Sequence, residues 1–124
     1  MTAQATEIPV HNPVDIERRI EEVSNRIAKG VAVVTAAERE ARDKRRAFDL
    51  AFAYAYKRAE GPAHERKYAA EIEAMPHREA ADNAEIAFRH AERTAKALEK
   101  ELFAWQSING NVRAMYGAAG VGQR

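Results

Sequence analysis

Cysteine is absent from the 124 residues, so neither a disulfide nor a thiolate metal site is available, and a reducing compartment suits the chain. Serine occurs only at Ser24 and Ser107. No Gly-x-Ser-x-Gly elbow and no glycine-rich loop following a strand pattern is present, which removes the common hydrolase and phosphate-loop signatures. The histidines, His11, His64, His77 and His90, show neither the three- or four-residue spacing of paired ligands nor a Glu-x-x-His pair. Glu60 to His64 and Glu73 to His77 are four apart, but each interval crosses a proline. No catalytic residue, cofactor, metal or small-molecule substrate is therefore expected. The first ten residues carry no base and no apolar run, and no apolar stretch approaches the length of a membrane span. A soluble, cytoplasmic protein without a membrane partner is the expectation.

Neither sign of charge dominates. Twenty basic residues face nineteen acidic ones, for a formal net charge of +1, so an electrostatic function would need a local patch. Aromatic residues make up only 7% of the chain, and alanine dominates the 46% that is apolar. A core built on alanine brings helices close together while burying little area per residue, which makes partner contacts attractive.

The periodicity is helical almost throughout. Residues 1–12 read as a flexible arm. Asn12-Pro13-Val14-Asp15 is a helix start, with a cap, a proline at the first helical position and an acid in the first turn. The series Ile16, Ile20, Val23, Ile27, Gly30, Val34, Ala37, Ala41, Lys44, Phe48, Ala51, Ala55 then advances by fours and threes, a heptad seam. A turn falls at Gly61-Pro62. The second series is Ala70, Ala74, His77, Ala81, Ala84, Phe88, Ala91, Ala95, Leu98, Leu102, Trp105, Asn109. Pro76 is expected to kink or break this helix. Residues 109–124, with four glycines, read as a short helical extension followed by a loose tail.

The two seams fit each other. An antiparallel register pairing residues whose numbers sum to 125 sets Ile20 against Trp105, Val23 against Leu102, Ile27 against Leu98 and Ala37 against Phe88. The expected fold is all-α: a long antiparallel, coiled-coil-like hairpin with arms over 13–60 and 63–108. Two helices leave apolar residues uncovered, so a homo-oligomer is expected, a dimer forming a four-helix bundle first of all. A monomer of three or four helices, with the first arm broken at Gly30, is the alternative.

Two surfaces stand out as candidates. Arg39, Arg42, Lys44, Arg45 and Arg46, with Arg78 at nearly the same height on the other arm, form a basic band that could grip nucleic-acid phosphates. Glu38, Glu79 and Asp82 would neutralise much of it, leaving a solvated face. Leu50, Phe52, Tyr56 and Phe103 lie off the seam as apolar positions expected to be exposed, and are candidates for docking or inhibiting a host or phage protein. A structural virion or scaffold component is a further alternative.

The stretch from Phe48 through Ala119 resembles small helical proteins of unassigned function encoded by actinobacterial phages. The resemblance rests on Ala53-Tyr54-Ala55-Tyr56-Lys57-Arg58-Ala59-Glu60-Gly61 before the turn and on the alanine- and arginine-rich second arm. It also rests on Leu102-Phe103-Ala104-Trp105-Gln106-Ser107-Ile108-Asn109 and Val112-Arg113-Ala114-Met115-Tyr116-Gly117-Ala118-Ala119. It implies a phage accessory protein in a bacterial host cytoplasm, among replication and recombination functions, and transfers no active site.

Overall fold

The protein is described by a computed structural model covering residues 12–122, with side-chain surroundings to residue 117. Residues 1–11 of the expected N-terminal arm, and 123–124 of the tail, lie outside the described residues. Two helices account for nearly everything else: α1, Pro13–Arg58, and α2, Ala63–Gly122. No strand occurs among the described residues.

The helix start follows from its first four residues. The Asn12 side-chain oxygen accepts the Asp15 amide at 2.9 Å, and the Asp15 carboxylate accepts the Asn12 side-chain amide at 2.8 Å. These reciprocal bonds satisfy an amide that the first turn otherwise orphans. At the other end, α1 stops before Ala59, Glu60, Gly61 and Pro62. Gly61 turns the chain at φ 104°, and a β-carbon there would meet the Glu65 carboxylate oxygen at 2.9 Å. Only glycine takes that turn without strain. Pro62 then supplies the carbonyl that accepts the Arg66 amide at 3.0 Å and opens α2.

Of the kink or break expected at Pro76, the break does not occur, because α2 is continuous from Ala63 to Gly122. Proline removes one intrahelical bond, the one to the Ile72 carbonyl, and the turns on either side keep the helix going. The helical extension after Asn109 is longer than expected and runs to Gly122, in place of the expected loose tail. Val112 is half-buried and Arg113 reaches Glu17 at 3.4 Å, so α2 has contacts of its own there despite its glycines.

The chain divides into two compact units. The first combines Met1–Ala28 with Lys96–Arg124. Its core holds large side chains: Ile16, Val23 and Leu98 are buried, while Ile20, Ile27, Leu102 and Trp105 are half-buried. Arg19 lies 5.9 Å from the centre of the Trp105 ring, and with the Arg113–Glu17 pair this agrees with the antiparallel register.

The second unit, Lys29–Ala95, is a helical hairpin closed by the turn. Its buried seam is nearly all alanine, Ala41, Ala55, Ala70, Ala74 and Ala81, with Phe88 the one large residue. Lys44 and His77 occupy seam positions yet are exposed, as are all of residues 42–47 and 75–79. A charged side chain and an imidazole find no gain in a seam of alanines and stay in water.

Candidate interaction surfaces

The basic band is not a block of free charge. Arg42 meets Glu38 at 3.0 Å, Lys44 meets Glu40 at 3.6 Å, Arg45 meets Asp49 at 3.8 Å and Arg46 meets Asp43 at 3.0 Å. Residues 38–49 hold five bases and four acids, and residues 75–89 hold two bases and three acids. The middle of the hairpin is thus electrically neutral. Arg39 and Arg78 are exposed with no acid at ion-pair distance among the described residues. The six candidates do not share one face. Arg39, Arg42 and Arg46 follow one outer stripe of α1, Lys44 occupies the seam, and Arg45 lies between these.

The four docking candidates are also separated. Leu50 and Phe103 are 57% and 70% exposed, but they belong to different units. Phe52 and Tyr56 are half-buried, which corrects the expectation that they lie open. They continue a row from Phe48, with ring centres 6.3 and 6.4 Å apart, and the aromatic contacts cover part of each ring.

The second unit has two unlike flanks, defined by the residues on either side of the seam. Val31, Thr35, Phe52, Tyr56 and Met75 apart, positions that follow a seam residue are charged, among them Glu38, Arg42 and Arg45 on α1, and Asp82, Glu85 and Arg89 on α2. These six line one open groove of about 420 Å³, which establishes that they share a side of the hairpin. Within it Arg89 is held between Glu92 at 2.8 Å and Glu85 at 3.0 Å. Its hydrogen bond to the Glu92 carboxylate and the nearby Glu85 charge raise its pKa above the usual guanidinium value.

Positions that precede a seam residue form the other flank. On α1 they are Lys29, Val33, Ala36, Glu40, Asp43, Ala47, Leu50 and Tyr54; on α2 they are Ala69, Glu73, Pro76, Ala80, Asn83, Ala87, His90 and Thr94. The Arg58–Glu73 ion pair crosses between the helices on this side. Val33, Leu50 and Tyr54 are 60%, 57% and 54% exposed there. An outer stripe of α2, Tyr68, Ile72 and Met75, repeats the seam's spacing of four and three two residues earlier. All three are exposed, Ile72 by 75%.

In total the second unit exposes eight large apolar side chains, Val31, Val33, Leu50, Tyr54, Tyr68, Ile72, Met75 and Ile86, and buries one, Phe88. No cluster of three His, Asp or Glu able to hold a metal occurs among the described residues, and no described helix is long and apolar enough to cross a membrane. Compared with protein families, curated protein sequences and solved structures, the chain matches none.

Proposed function

We propose that this chain is a non-catalytic binding protein that works through helix–helix contacts with protein, assembled as a homodimer in a four-helix bundle. The observation that carries this reading is the imbalance in the second unit, where one large apolar residue is buried and eight are exposed. Fully covering a side chain such as Ile72 contributes about 2 kcal/mol, so a partner helix laid on these residues is strongly favoured. An accessory role of the phage kind, the class implied by the resemblance over Phe48 to Ala119, agrees with a protein that acts by occupying another macromolecule.

Nucleic acid is the second reading, favoured by Arg39 and Arg78, which are exposed without acidic partners among the described residues. Phosphate binding weakens steeply with salt, whereas apolar docking scarcely responds. Light scattering with and without a short single-stranded oligonucleotide, at low and physiological salt, separates the two. The protein reading expects a dimer whose mass ignores the oligonucleotide at physiological salt. A mass that rises with the oligonucleotide at low salt, falls back at high salt and loses the effect on charge reversal of Arg42, Arg45 and Arg46 overturns it in favour of nucleic acid.

A further inference from the structure

We infer that the flank of the second unit bearing Val33, Leu50 and Tyr54 is the surface on which a second copy of this chain docks. The inference rests on the homodimer reading and specifies its face. Along α1 the residues before the seam advance from Val33 to Lys57 by threes and fours, with Arg58 next to the last of them, and along α2 they advance from Ala69 to Thr94. A side chain one residue before the seam stands about 100° round the helix from it, beside the partner helix instead of against it. The Arg58–Glu73 pair establishes that these rows of α1 and α2 lie on the same side.

Size, shape and charge all suit a copy of the same chain. A helical stretch of this length spans roughly 38 Å, and two helices side by side are about 20 Å wide. The product, roughly 760 Å², is close to the 800 Å² or so that each partner contributes to a stable interface. Alanine recurs along both rows, at Ala36, Ala47, Ala69, Ala80 and Ala87, so a second pair of helices can approach closely around the larger Val33, Leu50 and Tyr54.

A face that meets itself must carry no uncompensated charge, because a two-fold interface sets the same patch on both sides. Here Glu40 is paired with Lys44, Asp43 with Arg46, and Glu73 with Arg58. The opposite flank carries far more charge: its groove is walled by Glu38, Arg42, Arg45, Asp82, Glu85 and Arg89, and these groups, although mostly ion-paired, would have to be desolvated on contact.

The test is the solution mass of the full chain by light scattering, run on the unaltered protein and on two variants. Val33→Glu/Leu50→Glu places carboxylates on the proposed face at positions exposed in the single chain, so its helices remain formed by circular dichroism. Phe103→Glu alters an exposed apolar residue of the first unit and serves as the control. The expected result is twice the 13.8 kDa chain mass for the unaltered protein and for Phe103→Glu, and the single chain mass for Val33→Glu/Leu50→Glu. A dimer that survives Val33→Glu/Leu50→Glu overturns the face and leaves the homodimer reading standing. An unaltered protein of single chain mass at every concentration overturns both.

Discussion

Arg66 donates a hydrogen bond of 3.1 Å to the backbone carbonyl of Tyr56 and lays its guanidinium 4.5 Å from the centre of the same residue's ring. Tyr56 is in the last turn of α1, where carbonyls have no intrahelical donor, and Arg66 is in the first turns of α2. One side chain thus caps the end of one helix from the start of the next and closes the hairpin at its turn.

Replacing Arg66 by alanine therefore removes both a cap and a cation–π contact. Arg66→Ala is expected to lower stability by about 1–2 kcal/mol, read from the urea midpoint of the full chain. Arg66→Lys keeps the charge, loses the planar fork and recovers only part of the loss. Equal midpoints for all three proteins would show that the cap contributes nothing.

The glycines at 61 and 30 make opposite predictions. Gly61 has φ 104° and no room for a β-carbon beside Glu65, whereas Gly30 lies inside α1 with nothing within 4 Å of the added carbon. Gly61→Ala is expected to destabilise by about 1 kcal/mol or more. Gly30→Ala is expected to stabilise by roughly 0.5–1 kcal/mol, as alanine restricts the unfolded chain and favours the helix. Chemical unfolding of the two variants side by side checks both signs.

Pro76 holds α2 in a state that alanine would improve. The proline leaves the Ile72 carbonyl without its helical donor, and the runs 75–79 and 42–47 are exposed on both helices. Pro76→Ala is expected to raise stability by about 2 kcal/mol and to slow hydrogen exchange at residues 77–80. Unchanged exchange there would mean that the proline imposes no local opening.

The Asn12 cap gives a prediction confined to one helix end. Asn12→Ala removes the acceptor for the Asp15 amide and the donor to its carboxylate. The expected cost is about 1 kcal/mol, with exchange increased in the first turn of α1 and unchanged in α2.

How much of this was legible in the chain depends on whether the signal was local. Every seam residue of α1 except Lys44, and every seam residue of α2 from Ala70 to Asn109 except His77, is buried or half-buried, because heptad spacing and burial are two expressions of one periodicity. The cap at Asn12 and the turn at Gly61 were legible for the same reason. The neutral character of the basic band was legible as well, in the four-residue spacings Glu38 to Arg42, Glu40 to Lys44 and Arg45 to Asp49. The persistence of α2 unbroken through Pro76 and as far as Gly122 was not legible. Proline and glycine report a local penalty, while the contacts beside it, such as Arg113 with Glu17 ninety-six residues away, are set by the fold.

The most direct test of the central claim, that the second unit leaves its helices uncovered and a second chain covers them, is the thermal unfolding midpoint followed by circular dichroism over a hundredfold range of protein concentration. Association with a second copy ties stability to concentration, so the midpoint is expected to rise by several degrees from the lowest concentration to the highest. A single cooperative transition with the same midpoint at every concentration would contradict it.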